Sequence, residues 1–159
     1  MQLTDMICSV NRRLEQAIEA QLKPNGLSIE QYRVLKALNA QNGVAMGDLA
    51  VRVFVDSPTL TKIIDKMVAS ANVYRGPDPR DRRRVLVFIS RKGAETFERV
   101  YEAAARAENS VLGRLEDKKE TELLAILAQL LADTETEMDD TSGAAHSYLD
   151  QQGVNVHLR

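Results

Sequence analysis

The fold of this chain is decided by residues 57–90, which read SPTLTKIIDKMVASANVYRGPDPRDRRRVLVFIS. Apolar residues recur every third or fourth position from Leu60 to Val68, which is the spacing of a helix that buries one face. Ser57 and Pro58 are residue types typical of a helix start. We therefore expect Ser57 to cap this helix and Pro58 to occupy its first position.

An antiparallel hairpin is predicted directly after this helix. The β-prone runs 73–75 and 85–89 flank a turn of Gly, Pro and Asp residues at 76–81. Seven basic residues against two acidic ones lie between positions 75 and 92, a local charge of +5 in a chain of net charge −2. So many arginines are unusual for a solvated turn and are typical of a loop that contacts a polyanion.

Two further helices are predicted upstream. Ser28 and Gln31 have the spacing of a capping box and open a helix, and a shorter helix runs from Met46 to Val53. Short helices joined by tight turns and followed by an Arg-rich hairpin predict a winged helix-turn-helix. We expect a mainly α fold with a small β-wing, flanked by amphipathic helices at 3–22 and 117–138.

The predicted partner of the winged part is double-stranded DNA. A capped helix in the major groove presents its first-turn side chains to base edges and its amides to phosphates. Its candidate contacts are Ser57, Pro58, Thr59, Thr61, Lys62 and Lys66. The wing supplies arginines that reach phosphates or the minor groove; these are Arg80, Arg82, Arg83 and Arg84. The alternative from a different class is a winged-helix module that binds proteins and not DNA.

At four places the chain resembles the multiple-antibiotic-resistance regulator (MarR) family of bacterial transcription factors. These places are GLSIEQYRVLKAL at 26–38, MGDLAVRV at 46–53, SPTLTKIIDKM at 57–67 and DPRDRRRVLVFISRKG at 78–93. The resemblance covers roughly residues 5–135, and the wing motif is its most specific part. It implies a ligand-responsive regulator, expected to be a repressor, that binds a pseudo-palindromic operator.

The resemblance also implies a homodimer. It implies a single domain, residues 1–159, in which different segments bind DNA and form the dimer. Residues 28–92 correspond to the DNA-binding part, and residues 1–27 and 93–159 to interlocking dimerisation helices. The alternative is that the terminal helices pack within one subunit. By the same analogy, Asp81 braces the wing by pairing with Arg83.

Two further expectations follow from the resemblance. The helix that starts at Ser57 is the predicted recognition helix, the one that enters the major groove. The family usually has Gly after this helix, whereas this chain reads Ala71-Asn72-Val73. We expect Asn72 to supply the left-handed conformation there. A small aromatic or anionic effector is expected between the dimer helices and the winged part. Its candidate contacts are Val10, Arg13, Tyr32 and Arg33.

Cys8, the single cysteine, leaves a second regulatory mechanism open. The peroxide-sensing branch of the family has a reactive cysteine in its first helix, near this position. That branch supports the thiolate with tyrosines, whereas the equivalent positions here are Leu22 and Ile29. We therefore expect Cys8 to be a half-buried structural thiol, with thiol-based sensing as the alternative.

No catalytic constellation, phosphate-binding glycine loop or cofactor motif is present in the sequence, so we expect a protein that is not an enzyme. His146 and His157 stand eleven positions apart with no cysteine nearby, which does not indicate a metal site. The strongly apolar stretch 123–132 is too short to span a bilayer. We expect a cytoplasmic protein with no membrane partner.

Overall fold

The computed structural model describes residues 2–135. The helices are α1 (Leu3–Leu22), α2 (Ile29–Ala40), α3 (Met46–Val53), α4 (Ser57–Ala69), α5 (Arg91–Leu112) and α6 (Asp117–Glu135). The strands are β1 (Val44–Ala45), β2 (Val73–Pro77) and β3 (Val85–Ile89). The predicted fold class is confirmed. Residues 1–111 form one compact unit, and a second unit that contains α6 begins at residue 112.

The boundary between α1 and α2 follows from local sequence chemistry. A 3-10 turn, Lys23–Asn25, follows α1, and Gly26 then adopts a left-handed conformation with φ of 68°. Ser28 caps α2: its Oγ accepts from the Gln31 N–H at 3.2 Å, and the Gln31 Oε1 accepts from the Ser28 N–H at 3.0 Å. The predicted capping box is therefore confirmed.

The core of the first unit is aliphatic and includes residues of α2, α3, α4, β3 and α5. Its fully buried members include Leu35, Leu38, Leu49, Leu60, Ile64, Met67 and Val87. In α4 the apolar stripe is narrower than the sequence pattern predicts, because Ile63 is only partly buried and Val68 is exposed. The opposite face of α4 is exposed.

The sheet has three strands in the order β1–β3–β2, and both pairings are antiparallel. The hairpin of β2 and β3 is the predicted wing. Strand β1 was not predicted, because two residues carry no alternation pattern. The ring of Phe88 fits against Gly43 and Gly76, where a Cβ atom would approach the ring to 2.7 and 3.0 Å.

The turn after α4 differs from expectation. Ala71, and not Asn72, adopts the left-handed conformation, with φ of 57°. Asn72 is instead buried, and its backbone oxygen accepts a bond from the Ser90 N–H at 3.0 Å. The left-handed region is unfavourable for alanine, so this turn stores backbone strain.

Ser90 and Gly93 fasten the start of α5 to that turn. The Ser90 Oγ accepts from the Gly93 N–H at 2.9 Å and donates to the Ala71 carbonyl at 2.7 Å. A Cβ atom at Gly93 would overlap the backbone carbonyl of Asn72. The Ser-x-x-Gly pattern therefore serves both as a helix cap and as a close backbone contact.

Apolar side chains are exposed on helices of both units. On α1 they are Leu3, Met6, Ile7 and Val10, which follow helical spacing. On α6 they include Leu124, Ile126, Leu127 and Leu130.

Candidate nucleic-acid interface

Helix α4, the predicted recognition helix, is capped by Asp56, whereas Ser57 was the predicted cap. The Asp56 Oδ1 accepts from the Thr59 N–H at 2.7 Å, and Ser57 and Pro58 form the first turn of the helix. This backbone hydrogen bond is the main reason that the pKa of Asp56 is lowered. Asp56 could have been predicted as the cap from the sequence, because Asp caps helices as well as Ser does.

All six side chains predicted to contact DNA from α4 are exposed: Ser57, Pro58, Thr59, Thr61, Lys62 and Lys66. The Thr61 hydroxyl donates to the Ser57 carbonyl at 3.0 Å and keeps its oxygen lone pairs available as acceptors. The structure therefore gathers the predicted helix contacts on one accessible helix.

The turn of the wing is held by backbone hydrogen bonds. The Asp78 N–H donates to the Arg84 carbonyl at 3.0 Å, and the Arg84 N–H donates to the Asp81 carbonyl at 2.9 Å. The buried Asp78 also accepts from the Arg80 N–H through its Oδ1 at 2.8 Å. Asp78 was not predicted as a site residue, although Asp flanked by prolines is a typical turn signal.

Asp81, predicted to brace the wing by pairing with Arg83, contacts the Arg83 backbone and not its side chain. Its Oδ1 accepts from the backbone N–H of Arg83 at 3.0 Å, so the bond leaves the Arg83 guanidinium unused. The four predicted wing arginines, Arg80, Arg82, Arg83 and Arg84, are exposed, and none of them takes part in an ion pair within residues 2–135. Their charges are available for phosphates.

The predicted effector residues have different environments. Val10 and Arg13 are exposed on α1. Tyr32 is a core residue stacked on Phe97 at 5.8 Å between ring centroids, and burial is the main cause that raises its pKa to about 12. Arg33 donates to Glu15 at 2.6 Å, and its guanidinium lies 5.6 Å from the centre of the Phe54 ring.

A surface groove occurs elsewhere on the first unit. Its lining does not include the four predicted effector residues and consists of Gln16, Glu19, Ala20, Lys23, Leu27 and Ser28.

Cys8 is exposed on α1, which differs from the half-buried thiol expected. Within the described residues no cluster of three or more His, Cys, Asp or Glu side chains has a geometry suited to a metal ion. His146 and His157, like the rest of the chain after residue 135, lie outside that range. None of the helices between residues 2 and 135 is long and apolar enough to cross a membrane.

Comparison with known proteins gives one consistent family. A sequence model of the MarR family matches residues 25–84. The chain is 35% identical to the transcriptional activatory protein BadR of Rhodopseudomonas palustris over 81% of this chain and 72% of that protein. It is 28% identical to the multiple antibiotic resistance protein MarR of Escherichia coli over 61% of this chain and 67% of that one. These relatives are transcriptional regulators, not enzymes.

Comparison of the fold with solved structures gives the same family. A mutant of E. coli MarR solved in complex with operator DNA superposes with a TM-score of 0.75 at 25% identity, covering 81% of this chain and 93% of that chain. The wild-type apo form from the same organism superposes with a TM-score of 0.72 over 82% of this chain. The chain belongs to the MarR family of winged-helix transcriptional regulators, which bind DNA.

Proposed function

We propose that this protein represses transcription by binding a pseudo-palindromic operator as a homodimer. Each α4 enters one of two successive major grooves, about 34 Å apart, and each wing reaches the flanking minor groove. The observation that carries the proposal is the exposed polar face of α4 together with four exposed arginines of the wing turn that form no ion pair within residues 2–135. The E. coli MarR structure bound to operator DNA supports it.

The homodimer is proposed because exposed apolar side chains occur on both terminal helices. Leu3, Met6, Ile7 and Val10 form a stripe on α1 that is 46–66% exposed in the protomer. Leaving such a stripe in water is unfavourable, and a two-fold axis brings the same surface of two copies together. We accordingly assign residues 1–27 and 93–159 to dimerisation and residues 28–92 to DNA binding.

A small aromatic or anionic effector is proposed to act on Arg33. Its guanidinium already holds the Glu15 carboxylate and lies over an aromatic ring, the two kinds of contact that such an effector makes. An anion at this position competes with Glu15. Val10, Arg13 and Tyr32 are proposed to line the same region.

The test of the proposed function begins with duplexes selected from a random-sequence library by the purified protein. We expect an inverted repeat with half-sites about 10 base pairs apart, protection of both half-sites in a footprint, and a dimer by sedimentation. Affinity falls steeply with added salt, because several phosphates are neutralised. A protein-binding module gives no enrichment of any sequence, which would refute the proposal.

The direction of regulation is tested with a reporter placed behind the selected operator. Repression predicts lower reporter output when the protein is present. Higher output would mean activation, the role that the name of the R. palustris relative gives to that protein.

Thiol sensing through Cys8 is the second candidate, because the exposed thiol is reachable by a peroxide. Loss of operator binding after peroxide treatment in the wild type, but not in Cys8→Ser, would favour it over the effector mechanism.

A further inference from the structure

An acidic residue stands on the exposed side of the recognition helix. Asp65 lies one turn beyond Thr61 and beside Lys66, and its side chain is 59% exposed. A carboxylate on a helix that approaches DNA is repelled by phosphates unless a cation neutralises it. Contact with phosphates therefore does not explain the presence of Asp65.

Asp65 has a partner on the wing. The Arg75 Nη2 donates to the Asp65 Oδ1 at 2.7 Å. Arg75 belongs to β2 and pairs in register with Val87 of β3, which is fully buried. Cross-strand partners share a face of the sheet, so the Arg75 side chain leaves β2 on the same face as the buried Val87. The Arg75 side chain is 35% exposed, and it differs from the four arginines of the wing turn because it is held by a carboxylate.

The position of this ion pair connects the two DNA-contacting parts of the fold. Asp65 follows the candidate base contacts Thr61 and Lys62 on α4, and Arg75 precedes Pro77, where β2 ends and the turn of the wing begins. Among the ion pairs within residues 2–135, it is the one that joins α4 to the wing. Exposed ion pairs contribute little to folding stability, so its consequence is geometric.

We propose that Asp65 and Arg75 are positioning residues that hold the recognition helix and the wing at the separation and angle needed to occupy adjacent grooves together. The pair also cancels the negative charge of Asp65 next to DNA. This inference rests on the DNA-binding mode proposed above. The pair is expected to contribute to sequence-specific binding, because specific binding requires the helix and the wing to engage DNA at once. It is not expected to contribute to non-specific binding.

Asp65→Asn separates this proposal from simple electrostatics by the sign of its effect. Removing a negative charge from a DNA-facing helix by itself tightens binding. If the pair positions the two elements, Asp65→Asn weakens binding to the selected operator by about five- to tenfold and leaves affinity for a scrambled duplex unchanged or raised. Fluorescence anisotropy with both duplexes measures this. Thermal melting confirms that the variant is folded.

A matched control exists on the same helix. Asp56→Asn also removes one negative charge, and Asn is an equally good cap, but the Asp56 carboxylate binds a backbone N–H and not an arginine. We expect it to tighten binding to both duplexes. Arg75→Gln is expected to weaken operator binding, and Asp65→Asn added to Arg75→Gln is expected to cause no further loss.

The outcomes are distinguishable. Tighter operator binding by Asp65→Asn, or losses that add in the double variant, would overturn the positioning role while leaving the proposed function intact. A wild-type protein that binds neither duplex would overturn the proposed function itself.

Discussion

At the scale of single residues, Ala71 has a strained backbone conformation. A substitution that relieves the strain is expected to change the free energy of unfolding. Its φ of 57° lies in the left-handed region, which is unfavourable for a residue with a Cβ atom. We expect Ala71→Gly to raise the free energy of unfolding by about 1 kcal/mol without changing DNA affinity. Denaturant titration checks this.

The control for that experiment is Ala69→Gly, at the end of α4. Here the backbone is helical, so glycine is expected to lower the free energy of unfolding by up to about 1 kcal/mol. Equal destabilisation by both substitutions would contradict the strain at Ala71.

Gly93 is the opposite case, a glycine that cannot be replaced. A Cβ atom there would overlap the Asn72 carbonyl, and a backbone atom cannot move aside as a flexible side chain can. We expect Gly93→Ala to lower the free energy of unfolding by about 3 kcal/mol. Thermal or chemical denaturation measures the loss.

Gly47 provides the matched comparison. It lies in α3, and a Cβ atom there meets nothing within 4 Å. Gly47→Ala is therefore expected to stabilise by about 0.5–1 kcal/mol. A Gly93→Ala variant as stable as the wild type would mean that the turn and α5 do not pack as described.

At the scale of elements, we expect the wing to act through charge that the fold leaves unpaired. Arg82 and Arg83 are exposed and lie in the turn anchored by Asp78. We expect Arg82→Ala with Arg83→Ala to weaken operator binding at least about tenfold and to reduce the slope of log affinity against log salt concentration by about 2. Gel-shift titration at several salt concentrations measures both.

Arginines outside the wing serve as the control. Arg99 and Arg106 are exposed on α5, and replacing both by alanine removes the same charge from the chain. Their loss is expected to leave the salt slope within error of the wild type. An unchanged slope in the wing variant would remove the wing from the DNA interface.

Elements whose signals are local were predictable from the sequence. The capping box of Ser28 and the 3.6-residue pattern of α1 to α4 depend on neighbours a few positions apart. Strand β1 was not predictable, because its two residues become a strand only by pairing with Leu86 and Val87, about forty positions away. The left-handed residue was assigned to Asn72 by propensity, whereas the packing of the turn on α5 requires it at Ala71.

The same distinction applies to the candidate site. The exposed residues of α4 and the wing arginines follow from helix and turn patterns, so they could be named from the sequence. The Asp65–Arg75 bond joins a helix to a strand ten positions on and depends on how the two pack. The effector residues were inferred from resemblance alone, and the sequence pattern does not indicate that Tyr32 stacks on Phe97 or that Arg33 binds Glu15.

At the scale of the whole molecule, operator binding is expected to depend on the apolar stripe of α1. Ile7 and Val10 are 46% and 50% exposed, so a substitution there disturbs little of the protomer core. In a two-fold dimer, however, two glutamates per chain face their copies, and like charges brought together cost several kcal/mol. Ile7→Glu with Val10→Glu is therefore expected to raise the dimer dissociation constant at least about 100-fold.

The dimer variant links assembly to function through the two half-sites. A monomer engages one half-site and loses the contribution of the second, so operator affinity should fall with dimerisation while the helical circular-dichroism signal stays near that of the wild type. Asn11→Glu with Gln16→Glu, two exposed polar positions of α1, adds the same charge to the same helix and is expected to remain dimeric. Sedimentation and anisotropy on both variants test the link. A dimer that survives glutamates at Ile7 and Val10 would mean that the α1 stripe lies outside the interface, and the assignment of residues 1–27 to dimerisation would be wrong.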